Sequence, residues 1–389
     1  MFKFEFDLQD DLDDLDAFSA SEGKTVDEKS NGKELPESAQ TFGEISLDDL
    51  FGSLPSLISY SPLQALLSSG EHLTFARRDL FDARFQLISG SGEETRYGEE
   101  QAEDHATALQ FLDAPSDLVP GVYEGGLKTW ECSIDLAAYL DELKLTYNGK
   151  RILELGCGTA IPSLYILRSL FSSSQQSEAP SETNIHLQDY NRSVLELITF
   201  PNVLLAWYLS PASLSYRESA ADPLPPVEPA QPNELPITPS LTEAFRTSLL
   251  LLNIKIRFFY GSWDSFDLSR ANGKYDVVLT SETIYRTDSL GSLVQLLSDA
   301  CAEDDSLAKM TEAKLSLAPS QNGSPTSLCL VAAKVLYFGV GGGVSDFIHA
   351  VEDPDIYSCR ERKRRRGDVE TVWEKTGGVG RKVLRVKWS

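Results

Sequence analysis

Arg151-Ile-Leu-Glu-Leu-Gly-Cys-Gly-Thr-Ala-Ile-Pro162 decides the fold. Residues 152 to 155 read as a short buried strand that runs into a Gly-x-Gly loop and then a helix. Glycines in such a turn let backbone N–H groups approach a ligand where a Cβ would obstruct them. The spacing is Glu154-x-Gly156-x-Gly158-x-Ala160, and Ile161 stands where a dinucleotide fingerprint needs its third Gly. That departure counts against a nicotinamide site. An acid two residues before the first Gly suits a ligand that carries an ammonium group. Taken alone, Gly-x-Gly signals only a turn.

A chain of 389 residues has room for one large domain or two small ones. Its formal net charge is −24, and residues 1 to 50 hold 15 Asp and Glu against four Lys. An acidic body disfavours a phosphate-driven grip on nucleic acid and suits a basic partner, such as a ribosomal or histone-like protein. The five cysteines are scattered without Cys-x-x-Cys, so neither a disulfide framework nor a zinc site is expected. Charge interrupts the first residues too soon for a signal peptide, and no run approaches the ~20 apolar residues that span a bilayer. The expectation is a soluble intracellular protein.

Residues 1–40 form an acidic tail too poor in apolar residues to fold, and residues 41–115 an N-terminal extension with short helices and a strand. Phe81, Ala83, Phe85 and Leu87 alternate with polar residues as in a half-buried strand, and 89–106 reads as a loop. Residues 116–389 form the main domain. Leu136, Leu140 and Leu143 predict a helix stopped by Asn148-Gly149. Strands are then expected at 152–155, 185–189, 249–259, 275–282 and 328–337, and a terminal hairpin at 369–373 and 382–388. Polar insertions fall at 171–184, 210–240 and 303–326; the second holds eight of the 19 prolines and no core of its own. Alternating strands and helices predict an α/β, Rossmann-like sheet with ligand loops at the strand carboxyl ends.

Those ends carry a constellation: Gly156-Cys157-Gly158, Asp189, Gly261-Ser262-Trp263, and Ser281-Glu282. A carboxylate after the second strand can accept from both ribose hydroxyls, and an indole offers a face for adenine. Glu154 would meet an ammonium group. Individually, Asp189 is a helix cap and Trp263 a core residue; together with the loop they point to S-adenosylmethionine (SAM), with no metal.

Gly126-Leu-Lys-Thr-Trp-Glu-Cys-Ser-Ile-Asp-Leu136, Leu153-Glu-Leu-Gly-Cys-Gly158, Leu187-Gln-Asp-Tyr-Asn191, Gly261-Ser-Trp263, Ser281-Glu-Thr-Ile-Tyr285 and Tyr337-Phe-Gly-Val-Gly-Gly-Gly343 occur in this order. Together, over roughly residues 76 to 389, they resemble the eukaryotic protein-histidine methyltransferases. These are seven-strand, class I SAM-dependent enzymes that modify a large-subunit ribosomal protein. The resemblance implies that Thr129, Trp130, Glu131, Cys132 and Ser133 cover the cofactor. Glu154, Gly156, Cys157 and Gly158 would hold its methionine side, Asp189, Tyr190 and Asn191 its ribose side, and Gly261, Ser262 and Trp263 its adenine side, with Ser281 a further contact. The insertions and the N-terminal region depart from the family pattern.

A neutral imidazole is nucleophilic, and a carboxylate bonded to one ring N–H leaves the lone pair on the other nitrogen facing the methyl. Glu282 is the candidate for that orienting role, with a helix-cap or loop-bracing role as its structural alternative; Tyr285 and Asn191 are further candidates. The resemblance implies a monomer in cytoplasm and nucleus, acting on a basic ribosomal protein, free or in pre-ribosomal particles, and meeting nucleic acid only indirectly. A lysine methyltransferase of the same fold, or an assembly factor that binds SAM without turnover, are the alternatives. Arg360-Glu-Arg-Lys-Arg-Arg-Arg366 reads as a nuclear import signal, a contact with ribosomal RNA, or a solvated loop. The four histidines lack metal-ligand spacing, and His186, inside a strand, is expected to be structural.

Overall fold

The structure is a computed structural model that describes residues 41–90, 99–112, 118–119, 123–172, 181–219, 228–301, 327–337, 341–356 and 364–389. The expected tail 1–40, the insertion 303–326, the boundary near 115, most of the linker 171–184 and the start of the basic run lie outside these residues.

Gly43–Ile45 (β1) leads to Leu47–Ser53 (α1), where the Ser46 side chain caps the helix by accepting from the Asp49 N–H. Leu57–Leu66 (β2) and His72–Arg78 (β3) pair antiparallel. Leu80–Gly90 (α2) and Glu99–Leu112 (α3) follow, then the short pair Leu118–Val119 (β4) and Tyr123–Glu124 (β5). Glu131–Leu143 (α4), Arg151–Leu155 (β6), Ile161–Ser172 (α5) and Thr183–Asp189 (β7) form the first crossover unit. Arg192–Val194 (α6) passes through a π-helical turn, Leu195–Thr199, into Phe200–Tyr208 (α7). Leu214–Ser219 (α8), Asn233–Pro236 (β8), Pro239–Leu251 (α9), Ile254–Tyr260 (β9), Val277–Ser281 (β10) and Thr287–Ala300 (α10) come next. Leu328–Lys334 (β11), Val344–Glu352 (α11), Gly367–Lys375 (β12) and Arg381–Trp388 (β13) complete the described elements.

The main sheet has the order β1-β9-β7-β6-β10-β11-β13-β12. Strands β9, β7, β6, β10 and β11 are mutually parallel, while β13 runs antiparallel to β11 and pairs with β12 as a hairpin. This is the expected Rossmann-like class I sheet with a reversed terminal hairpin. All five residues of β10 are buried, as a strand covered on both faces requires. Leu164, Leu167 and Leu170 turn α5 inward. The chain leaves β6 toward β7 on one side and reaches β10 on the other, so the crevice at their carboxyl ends is the switch point where ligands bind.

Several expectations are corrected. Residues 81–87 are helical: Ala83 and Leu87 are buried and Phe81 and Phe85 exposed, so each pair four apart shares a helix face. The expected loop 89–106 contains the start of α3. Between 45 and 67 a ten-residue strand accompanies the single short helix. The 210–240 insertion supplies β8, which pairs with β2 and buries Leu235. Leu249 to Leu251 end α9, and β9 starts only after Asn253 in the left-handed region. Helix α4 stops at a left-handed Lys144, ahead of Asn148-Gly149. The extension also crosses its expected border, because β1 adds to the main sheet beside β9.

Candidate active site at the strand carboxyl ends

Beyond β6, Gly156 and Gly158 take φ of 59° and 48°, the left-handed backbone that turns the chain into α5. A Cβ on Gly156 would lie 2.6 Å from Thr283 Cγ2, and one on Gly158 would lie 3.2 Å from the Gly126 Cα. The loop is therefore held between the residues after β10 and the segment that enters α4. The Gly158 N–H donates to Asp189 Oδ2 at 2.9 Å, and the Asn191 N–H donates to Oδ1 at 3.1 Å. Asp189 thus stands at the end of β7 against the Gly-rich loop, as the sequence implied. It is only 5 % exposed.

Gln188, the residue before it, received no role from sequence. It is fully buried and its amide bonds two loops, those after β6 and β9. Oε1 accepts from the Gly156 N–H at 3.2 Å and from Trp263 Nε1–H at 3.1 Å, and Nε2 donates to the Gly261 carbonyl at 2.7 Å. Two donors on one side and a carbonyl on the other fix the amide orientation. The quoted run Leu187-Gln-Asp held the signal: a polar side chain just before the end of a buried parallel strand needs partners. Gly261 also abuts the extension, where a Cβ would meet the Thr41 carbonyl at 2.6 Å. Ser262 is buried nearby, its hydroxyl donating to Ser265 Oγ. Tyr190 is half-buried and its carbonyl receives the Gly261 N–H.

The segment 125–130 lies over the loop. Asn191 Nδ2 donates to the Gly125 carbonyl at 3.0 Å, and the Thr129 hydroxyl bonds the Thr159 hydroxyl at 3.2 Å. Asn191 is thereby a fastener of this segment. Glu131 pairs with Arg381 at 3.0 Å and with Lys334 at 3.7 Å, anchoring the start of α4 to the sheet. Lys334 Nζ also sits 5.1 Å from the Trp130 ring centroid. Ser133 is buried and donates to the Trp130 carbonyl.

On the other side of the crevice, Glu282 follows the buried Ser281 with φ of 57°, an uncommon conformation for a side chain with a Cβ. Its Oε2 accepts from the Tyr337 hydroxyl at 2.6 Å and its Oε1 from the Cys132 N–H, in the first turn of α4, at 3.3 Å. The bracing alternative is therefore realised, and the Cys132 thiol is a third partner of the carboxylate. Burial and the facing carboxylate push the Tyr337 phenol and the Cys132 thiol up, so both stay protonated. The Tyr285 ring lies 6.3 Å from that of Tyr337, and its carbonyl receives the Gly342 N–H at 3.0 Å.

Glu154 is placed differently from its expected role. It is wholly buried beneath the start of α5, and Oε2 accepts from the Ser163 N–H at 3.0 Å and from the Ser163 hydroxyl. Burial, with a smaller contribution from Asp189, raises its pKa to about 8. A neutral carboxyl that braces the helix explains the residue better than a direct ammonium contact, although Oε1 has no hydrogen-bond partner. Cys157 is buried and its thiol is pushed up by burial, which makes it a packing residue.

His186 is structural as expected: its Nδ1 bonds the Tyr275 hydroxyl at 2.8 Å, and burial lowers its pKa to about 3. The basic run is partly absorbed by the fold. Arg364 is 6 % exposed and donates to the carbonyls of Ala350, Asp353 and Ile356 at the end of α11. Arg365 does the same for Ser298 and Cys301 at the end of α10. Among the described residues no group of three or more His, Cys, Asp and Glu is arranged to hold a metal ion. No single described helix is long and apolar enough to cross a membrane.

The Asp189 and Glu282 carboxylates flank a Gly-rich loop, with the neutral Glu154 carboxyl beneath it and an indole beside it. This donor set fits SAM, with its cationic methionine end, ribose diol and flat purine. No protein-family model matches the chain. Histidine protein methyltransferase 1 of Schizosaccharomyces pombe is 31% identical over 341 residues, 85% of this chain and 84% of that protein. Its Saccharomyces cerevisiae counterpart is 32% identical over 71% of this chain and 68% of its own length. The Bos taurus homologue is 33% identical over 63% of this chain, a match that spans 53% of the bovine protein. Among solved structures, the rRNA methyltransferase aviRa of Streptomyces viridochromogenes aligns over 72% of this chain and 94% of its own, at 15% identity. The TM-score of that alignment is 0.32, too low to bear on function. Identity to the two yeast enzymes over most of both lengths joins the sheet order and the strand-end constellation in one conclusion: the chain belongs to the histidine protein methyltransferases, which transfer a methyl group from SAM to a protein histidine.

Proposed function

We propose that this enzyme methylates a histidine of a large-subunit ribosomal protein, with the cofactor held at the carboxyl ends of β6, β7, β9 and β10. The observation that carries the site is the convergence on one loop. Gly156 and Gly158 are bonded to Gln188 and Asp189, and the backbone of Gly126 lies against Gly158. In this reading Gly156 and Gly158 line the methionine side, Asp189, Tyr190 and Asn191 the ribose side, and Gly261, Ser262 and Trp263 the adenine side. The segment Thr129, Trp130, Glu131, Cys132 and Ser133 covers it. The formal charge of −24 supports a basic protein substrate, free or within pre-ribosomal particles, and the family resemblance supports the ribosomal one. The same reading places a monomer in cytoplasm and nucleus.

The cofactor supplies a methyl group already activated on a sulfonium sulfur. The protein has to align a neutral imidazole and exclude water. After serving the Tyr337 hydroxyl and the N–H and thiol of Cys132, Glu282 keeps about one lone-pair position, enough to accept one ring N–H and leave the other nitrogen unprotonated toward the methyl. Tyr337 holds that carboxylate in place, and Tyr285 packs beside it. The test is methyl transfer from labelled SAM to isolated large and small ribosomal subunits and their extracted proteins. Label confined to a large-subunit protein supports the substrate; label only on small-subunit proteins removes it.

A further inference from the structure

We infer that Gln188 is the positioning residue of the cofactor site: it sets the Trp263 indole against the Gly-rich loop and so fixes the space between adenine and methionine contacts. The inference rests on the cofactor placement proposed above. Three strand ends must keep their spacing for one ligand to touch all of them, yet β6, β7 and β9 end in separate loops. Gln188 is the described side chain whose one amide bonds both flanking loops. Its Oε1 takes the Gly156 N–H and the Trp263 indole N–H together, and its Nε2 takes the Gly261 carbonyl at the root of the Trp263 loop.

The backbone of the same residue adds a fourth tie, because its carbonyl accepts from the Cys157 N–H at 2.8 Å. Trp263 is only half-buried, and its Cζ2 comes within 3.8 Å of the Cβ position of Gly156. Without the amide its ring could rotate over the loop. In this buried position, losing Oε1 leaves the Gly156 and Trp263 N–H groups unsatisfied, and losing Nε2 leaves the Gly261 carbonyl so.

The test uses the full chain and calorimetric SAM binding, with kinetics on the protein substrate. Gln188→Met keeps the volume and removes every amide bond, so SAM should bind about tenfold more weakly. The KM for SAM should rise with it while the KM for the protein substrate stays within about twofold. Trp263→Phe removes the indole N–H together with part of the aromatic face, and the double variant should lose less than the sum of the two single losses, because both changes cut one link. Gln188→Glu retains the acceptor and should fall between wild type and Gln188→Met; it carries the comparison if Gln188→Met does not fold. Additive losses, or equal rises in both KM values, would overturn the inference. Gly156→Arg separates the two levels of the account: intact SAM binding there removes the site itself. Lost binding in Gly156→Arg with unchanged binding in Gln188→Met removes only the role of Gln188.

Discussion

The Tyr337 hydroxyl donates to Glu282 Oε2 at 2.6 Å, joining the end of β10 to the chain just after β11. Glu282 holds its left-handed backbone there while its other oxygen caps the first turn of α4 through the Cys132 N–H. Tyr337→Phe deletes the donor and keeps the ring, leaving the carboxylate freer to rotate. The expected outcome is a kcat lowered about tenfold with SAM affinity within about twofold of wild type, by steady-state kinetics and calorimetry. Equal loss of both would mean that Tyr337 supports the cofactor and not the acceptor.

Glu154 yields a pH prediction. Its folded pKa of about 8 lies above the reference 4.5, so between these values the folded chain retains a proton that the unfolded chain has released. Its favourable contribution is present in full below about pH 4.5 and is lost as pH rises through about 8. Glu154→Gln mimics the protonated carboxyl at every pH. It should match wild type near pH 4.5 and exceed it increasingly up to pH 8, by on the order of 1–3 kcal/mol in denaturant unfolding of the cofactor-free protein. A constant difference across that range would show that Glu154 is ionised in the fold.

Arg364 predicts a purely structural phenotype. Arg364→Ala leaves the carbonyls of Ala350, Asp353 and Ile356 without their guanidinium partner and should cost about 1–3 kcal/mol of stability. SAM affinity should be unchanged, since α11 ends away from the Gly-rich loop. Loss of binding to the protein substrate without loss of stability would return the basic run to a role in recognition.

The grouping of these motifs at the strand ends was legible because each is short and contiguous: Gly-Cys-Gly after a buried strand, Asp189 at the end of the next, Ser281-Glu282 at the end of the fourth. What stayed hidden depends on contacts remote in sequence. Gln188 declares itself only once Gly156 and Trp263, 32 and 75 residues away, are seen on one oxygen. The change in Glu154, from ammonium anchor to neutral brace, depends on Ser163 and on complete burial. In the fold, Phe81, Ala83, Phe85 and Leu87 satisfy a period of two and a spacing of four alike. So short a pattern cannot separate strand from helix. The pairing of β8 with β2 spans a proline-rich stretch whose composition suggested only a linker.

Methyl transfer itself tests the central claim most directly. The full chain and its Gly156→Arg variant, whose added side chain starts 2.6 Å from Thr283, are incubated with labelled SAM and purified large-subunit ribosomal proteins. Modified residues are then assigned by mass spectrometry. The account predicts one methyl group on a histidine of a basic large-subunit protein with the wild-type chain, and none with the variant. A methyl group found only on lysine, or transfer undiminished in Gly156→Arg, would contradict it.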